Sequence, residues 1–153
     1  MLLREAIARY VLGKLPDSEL PSLAADALEE GLNSPSLACL ALADPSHVVS
    51  NRSLLQTALK EIAVEVPSRE SAVRWLICLA ASKILSGELS PQAGANEIWR
   101  LTLDDANHDH QFDTFIYAAS EWNEPRVTQK MHEQWSKAIR EAAEKIVASL
   151  PAA

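Results

Sequence analysis

The sequence predicts an all-α protein: a single compact domain of about seven to eight helices, packed as an orthogonal or irregular bundle. Ala and Leu dominate, glycine occurs four times in 153 residues, and Val, Ile and Thr never alternate with polar residues at the period of a strand. With 48% hydrophobic and 23% charged residues, the composition is that of a globular chain. Because one core usually serves roughly 100–200 residues, we expect one domain over residues 1–150 and a frayed tail at 151–153.

Helix-forming stripes and stop signals predict four helices in the first half of the chain. The first carries apolar residues at helical spacing, and the second is closed by Gly31, which suits a left-handed stop. Ser34 and Pro35 open the third as an N-cap followed by a proline at the first helical position. The fourth has Leu55, Leu59 and their neighbours on its inner face. These four helices are predicted near residues 2–14, 21–30, 35–43 and 51–64.

The second half divides in the same way. Pro67 opens the fifth helix, whose centre at residues 72–81 is apolar almost all round, as expected of a buried helix. Ser90 and Pro91 repeat the cap-plus-proline start of the sixth. Asn123 is predicted to cap the eighth helix, which follows a seventh rich in aromatic residues. These four helices are predicted near residues 67–86, 90–103, 110–122 and 125–149.

Charge and cysteine usage restrict the kinds of partner and the compartment. A net charge of −7 disfavours nucleic acid and anionic membranes as primary targets, because both require a basic face. No apolar run approaches the ~20 residues that span a bilayer, and charges at Arg4, Glu5 and Arg9 are untypical of a secretory signal. Cys39 and Cys78 lie in apolar helical contexts and are predicted to be buried, reduced thiols. We therefore expect a cytoplasmic protein.

No known catalytic or cofactor motif is present. The four glycines are isolated from one another, so phosphate-binding loops, dinucleotide fingerprints and nucleophile elbows are excluded. There is no CxxC pair and no HExxH pair to indicate zinc. Cys39, flanked by Ala38 and Leu40, indicates core packing rather than a nucleophile. The sequence therefore predicts no catalytic residue and no cofactor.

The uneven distribution of charge is the most informative feature. From Leu15 to Asn51, and again from Leu101 to Pro125, there is no Lys or Arg. The two stretches carry a formal charge of −12, which leaves +5 on the rest of the chain. Such stretches are compatible with ordinary solubility, but if they converge in space they would steer a basic partner. The acidic residues of the two stretches are Asp17, Glu19, Asp26, Glu29, Glu30 and Asp44, and Asp104, Asp105, Asp109, Asp113, Glu121 and Glu124.

Two histidines and four aspartates lie within residues 104–113, a composition that can ligate a divalent metal. His108 and His110 would point about 200° apart on a helix, whereas His110 and Asp113, three residues apart, meet naturally. The structural alternative is that Asp109 caps the seventh helix and Asp113 stabilises its first turn. The metal hypothesis names His108, His110 and Asp113, with Asp105 and Asp109 as further candidates.

Trp122 follows the apolar stripe of the seventh helix and lies between Glu121 and Glu124. Packing in the core or at its rim is one interpretation; an interface anchor in an acidic loop is the other, since Trp is enriched among binding hot spots. Trp75, Trp99 and Trp135 lie on apolar stripes and are predicted to be core residues, with Trp99 near its edge.

The segments 95–101 (ANEIWRL) and 115–122 (FIYAASEW) resemble small helical proteins encoded by uncharacterised bacterial open reading frames. This resemblance covers the C-terminal half of the chain. It implies a bacterial cytosolic protein and brings no activity or site residues with it.

These observations favour a non-enzymatic protein that binds a protein partner, of immunity or antitoxin type, neutralising a basic toxin. The alternatives are a metal-binding or metal-sensing protein and a homo-oligomeric scaffold. The predicted partner-binding residues are Asp104, Asp105, Asp109, Asp113, Glu121, Trp122 and Glu124.

Overall fold

The computed structural model describes residues 3–104 and 110–149, and every regular element within those ranges is helical. The all-α prediction and the number of helices are therefore confirmed for this part of the chain. Short 3-10 turns at Asp17–Glu19 and His110–Phe112 precede the second and seventh helices. The helices are α1 (Leu3–Val11), α2 (Leu20–Glu29), α3 (Pro35–Ala41), α4 (Val48–Glu61), α5 (Arg69–Ser86), α6 (Pro91–Thr102), α7 (Asp113–Glu121) and α8 (Gln129–Ser149).

The chain divides into two compact units, the first covering Met1–Ala72 and the second Val73–Ala153. The prediction of one domain over residues 1–150 stays a prediction. The first acidic stretch falls in the first unit and the second acidic stretch in the second unit. Their convergence on one surface also stays a prediction.

The core of the first unit is formed by helices that pack in chain order, α2 on α3 and α3 on α4. Leu20, Leu37 and Leu40 are fully buried there, and Leu55 and Leu59 complete the inner face of α4 as predicted. Burying a leucine side chain contributes roughly 1.5–3 kcal/mol, so these positions supply much of the unit's stability.

The end of α2 follows its predicted signal, whereas the end of α4 does not. Gly31 has a φ of 92° and closes α2, with the Leu32 amide donating to the Ala27 carbonyl across 3.0 Å. The end of α4 is made by Ala63, whose φ is 53°. α4 therefore runs from Val48 to Glu61 rather than over 51–64. The sequence places this end too late because an alanine gives no stop signal.

Serine caps act as predicted at α3 and α6. The Ser34 hydroxyl accepts from the Leu37 amide at 3.0 Å, and the Ser90 hydroxyl accepts from the Ala93 amide at 3.2 Å. The predicted cap of the last helix is wrong, because α8 begins at Gln129. The hydroxyl of Thr128, not the side chain of Asn123, accepts from the Met131 amide, at 3.3 Å.

A carboxylate at the end of α4 completes the N-terminus of α3. Glu61 accepts a hydrogen bond from the Ser34 hydroxyl, and the Ser36 amide and hydroxyl donate to it at 3.1 and 2.8 Å. The Ser34 bond, followed by those from Ser36, lowers the pKa of Glu61. A negative charge is also favourable at this position because it faces the positive end of a helix.

We expect Glu61 to make the stability of the first unit depend on pH. Since its pKa is lower folded than unfolded, its contribution is present above its ordinary pKa and is lost as the pH falls through the folded value. Glu61→Gln is expected to lower the free energy of unfolding at pH 7 and to flatten its dependence below pH 5. Urea titrations between pH 3 and 7 measure this. Glu65→Gln, an exposed change nearby, is the control, and an equal pH slope in both variants would contradict the assignment.

In the second unit α6 packs on α7, and α8 packs on both. Ile98 and Leu101 of α6, Phe115 of α7, and Ile139 and Ile146 of α8 form the buried centre. This arrangement places the C-terminal end of α7 beside the first turns of α8, and Trp122 and Glu121 lie there.

One close approach within this unit depends on glycine. Gly94, buried in α6, lies directly against the side chain of Ile84 in α5, and a Cβ at position 94 would overlap the Cγ1 and Cδ1 atoms of that isoleucine. The two helices therefore touch where one of them has no side chain.

Two side-chain predictions need correction. Cys39 is exposed on α3 rather than buried, because α3 is only seven residues long and buries Leu37 and Leu40 on the opposite side. Cys78 is partly buried, and burial raises the pKa of its thiol. Trp75 and Trp135, predicted to be core residues, are partly exposed, and so is Trp99, which was predicted to lie near the edge of the core.

Candidate partner-binding face

The structure describes four of the predicted acidic partner-binding residues. Asp104 follows α6 and is half-buried, whereas Asp113 opens α7 and is exposed. Glu121 ends α7, and Glu124 lies in the loop before α8. The predicted residues Asp105, His108 and Asp109 lie outside the described residues.

Four aromatic side chains cluster where α7 meets α8, and we call this cluster the aromatic face: Tyr117, Trp122, His132 and Trp135. The rings of Trp122 and His132 stack at 4.6 Å with an interplanar angle of 9°. Tyr117 meets Trp135 edge to face at 5.7 Å, and Trp122 lies 5.9 Å from Trp135. Such pairs contribute about 0.5–1.5 kcal/mol beyond their buried area, so the face is held in place before any partner arrives.

A hydrogen bond fixes the orientation of the histidine in this cluster. His132 Nε2 lies 2.9 Å from the carbonyl oxygen of Trp122. Because a carbonyl can only accept, Nε2 is the donor in this bond. The bond ties the end of α7 to the second turn of α8.

The sequence pattern predicts Trp122 as a site residue but does not predict His132 or Tyr117. Tyr117 is 56% exposed. The available signal was helical spacing: Tyr117 precedes Glu121 by four residues, and His132 precedes Trp135 by three, so each pair shares a face. Neither residue continues the apolar stripe of its helix, which is why the stripe alone did not reveal the cluster.

Glu121 is paired with the first basic residue after the second cation-free stretch. Arg126 Nη2 lies 2.6 Å from Glu121 Oε2. Glu121, with smaller contributions from Glu124 and Tyr117, raises the pKa of Arg126. All three groups therefore influence the same guanidinium.

The first cation-free stretch ends in the same manner. Arg52 directly follows it, and its Nε and Nη2 atoms lie 2.8 and 2.6 Å from the two carboxylate oxygens of Asp17. The hydrogen bond from Arg52 lowers the pKa of Asp17, and the Tyr10 hydroxyl also donates to this carboxylate, at 3.3 Å. Tyr10, Asp17 and Arg52 are among the residues that line a cavity of about 530 Å³. The arginine that directly follows each stretch therefore forms an ion pair with an acidic residue inside that stretch.

The predicted contact between His110 and Asp113 is present. His110 Nδ1 lies 3.0 Å from Asp113 Oδ2, and both side chains are exposed. Since the carboxylate accepts, Nδ1 is protonated and Nε2 is left as the possible metal ligand. Within residues 3–104 and 110–149, no group of three or more His, Cys, Asp or Glu side chains is placed to hold a metal ion. The metal hypothesis, which includes His108, stays a prediction.

Exposed apolar side chains occur elsewhere, in the first unit. Leu42 and Val49, on either side of the loop between α3 and α4, are 90% and 83% exposed. The prediction of a homo-oligomer also stays a prediction, and light scattering of the purified chain with Leu42→Asp as the comparison would test it.

None of the three comparisons with known proteins gave a match, whether with family models, curated proteins or solved structures. The resemblance to bacterial helical proteins therefore stays a prediction. Among the helices of the described ranges, none is both long and apolar enough to cross a membrane.

Proposed function

We propose that this chain is a non-enzymatic protein that binds a basic protein partner through the aromatic face and the adjacent Glu121 and Glu124. In its concrete form the proposal is an inhibitor of immunity or antitoxin type that neutralises a basic toxin. The observation that carries it is the position of an ordered, partly exposed aromatic cluster directly beside two carboxylates.

The aromatic face is suited to supply most of the free energy of binding. Trp and Tyr dominate interface hot spots because they bury a large area at little cost in conformational entropy. Here the stacking of Trp122 on His132 and the bond from Nε2 to the Trp122 carbonyl already restrict these rings. A partner that covers these rings therefore causes a smaller loss of conformational entropy when it binds.

The carboxylates are suited to select a basic partner and to speed its association. Leu101 to Pro125 contains no Lys or Arg, and two of its acidic residues, Glu121 and Glu124, flank Trp122 in the chain. Negative potential of this kind attracts basic partners and accelerates encounter, with an effect that declines as salt is added. A nuclease-like toxin with a basic surface fits these requirements.

The partner can be isolated by crosslinking in cells that carry the chain, and its binding to purified variants then measured by surface plasmon resonance. We expect Trp122→Ala to raise the dissociation rate about thirtyfold, the magnitude typical of a hot-spot residue. We expect Glu121→Gln with Glu124→Gln mainly to slow association and to reduce its salt dependence.

The matched control is Glu141→Gln with Glu144→Gln, which removes the same charge from the exposed side of α8. Tyr117→Ala provides a second test of the aromatic face if Trp122→Ala loses helicity by circular dichroism. Binding that is unchanged in all variants of the face would refute the proposal.

The first acidic stretch is tested separately. Glu29→Gln with Glu30→Gln removes two exposed charges near the end of α2. If both stretches act on one partner, this variant should slow association as the Glu121 and Glu124 variant does. If it behaves as the control does, the site is confined to the second unit.

The contact between His110 and Asp113 favours a second candidate, a metal-binding or metal-sensing protein. A histidine that ligates a metal through one ring nitrogen commonly donates a hydrogen bond from the other nitrogen to a carboxylate. Thermal-shift and calorimetric titrations with Zn²⁺, Ni²⁺ and Mn²⁺ test it. A shift that disappears in His110→Ala would support this candidate, and no shift with any of the three ions would exclude it.

A further inference from the structure

Tyr117, Glu121 and Glu124 form the elements of a guanidinium site. Tyr117 and Glu121 are four residues apart on α7 and so lie side by side. The Glu124 amide donates to the Glu121 carbonyl across 3.1 Å, and both glutamates contribute to the raised pKa of Arg126. A carboxylate beside an aromatic ring is the combination that binds arginine, through paired hydrogen bonds and through attraction of the cation to the ring.

An arginine of the chain itself, Arg126, already pairs with the Glu121 carboxylate of this group. Arg126 reaches back from the loop, and its Nη2 atom lies 2.6 Å from Glu121 Oε2. Its side chain is nevertheless 74% exposed. The next turn, in which the Val127 amide donates to the Glu124 carbonyl at 2.9 Å, holds Arg126 at this position.

We propose that Arg126 is an internal placeholder for an arginine of the partner, which displaces it from Glu121 on binding. This rests on the proposed function, because it concerns the same surface. The inference adds two points to that function. The group that is recognised is a guanidinium, and Arg126 excludes cations that pair less well with Glu121.

Displacement is favourable for two physical reasons. An ion pair as exposed as this one is screened by water and contributes little to stability, so its loss is easily offset. Arg126 is joined to Glu121 by only four intervening residues and pairs one terminal nitrogen with one oxygen. An arginine approaching from outside can pair two nitrogens with both oxygens. A lysine ammonium cannot do this, so it competes less well with Arg126.

Isothermal titration calorimetry with two synthetic peptides tests the inference: one alternates arginine with glycine and the other alternates lysine with glycine. We expect Arg126→Gln to bind the arginine peptide about three- to fivefold more tightly than the unchanged chain. The gain for the lysine peptide should be less than half as large. Adding Glu121→Gln to Arg126→Gln should abolish the gain.

Lys145→Gln is the matched control, since it removes one exposed positive charge ten residues beyond Trp135 on α8. An equal gain in this control, or an equal gain with the lysine peptide, would show general electrostatics and overturn the inference. Absence of any gain in Arg126→Gln would also overturn it. If Trp122→Ala still weakens binding of the natural partner in that case, the proposed function stands and only the role of Arg126 as a placeholder is lost.

Discussion

Replacing Phe115 with alanine is expected to lower the free energy of unfolding by about 3–5 kcal/mol. Phe115 is fully buried in the centre of the second unit, between α6 and α8. Its removal leaves a cavity that neighbouring helices can only partly fill. Since a domain of this size is stable by about 5–15 kcal/mol, such a loss brings the unit close to unfolding.

Tyr117→Ala is the matched control, because it removes an aromatic ring from the same helix at an exposed position. It should cost only about 1 kcal/mol, for the edge contact with Trp135. Urea titration followed by fluorescence measures both changes. Equal losses in the two variants would contradict the packing described for α7.

The same titration tests the prediction of a single domain. All four tryptophans lie between Val73 and Ala153, so fluorescence follows the second unit, whereas far-ultraviolet circular dichroism follows every helix. In the unchanged chain, coincident transitions by the two probes would support one cooperative domain over residues 1–150. Separate transitions would show two domains that unfold independently.

Gly94→Ala is expected to destabilise the second unit by about 1–3 kcal/mol. The sign is the informative part. In an ordinary helix interior the same change stabilises by about 1 kcal/mol, because alanine has the higher helix propensity. Here the new methyl group would overlap Ile84, so α5 and α6 must separate or the isoleucine must leave its preferred rotamer.

A double-mutant cycle with Ile84→Ala identifies the cause. The single change at Ile84 creates a cavity and is destabilising, but combined with Gly94→Ala the new methyl group enters the space that has been vacated. The double variant should therefore be more stable than the sum of the two single losses predicts, by at least about 1 kcal/mol. Ala93→Gly, on the exposed side of α6, is the control for propensity. Additive effects of Gly94→Ala and Ile84→Ala would rule out the contact as the cause.

The fold class and most helix boundaries could be predicted because their signals are local. Ser34, Ser90 and Gly31 act through backbone hydrogen bonds within a few residues, and these bonds form as the sequence predicts. The failures lie where residue type gives no signal. The end of α4 falls at an alanine in a left-handed backbone conformation, and the exposure of Cys39 depends on which side of a short helix the neighbouring helices cover.

The candidate site was predictable only in part. Trp122, Glu121 and Glu124 stood out by residue type, whereas His132 joins them through a contact between helices that no local pattern reveals. The charge pattern was informative along the chain but overstated the free negative charge. Arg52 and Arg126 lie just outside the two stretches, yet each binds an acid inside one of them.

The alanine at the end of α4 has a consequence for how this sequence can diverge. Its left-handed backbone disfavours most residues other than glycine and asparagine, and position 63 is exposed, so neither packing nor charge opposes a change there. Descendants of this sequence should drift toward glycine or asparagine at position 63. Position 94 should instead remain glycine for as long as position 84 carries a large side chain, so that the two sites vary together.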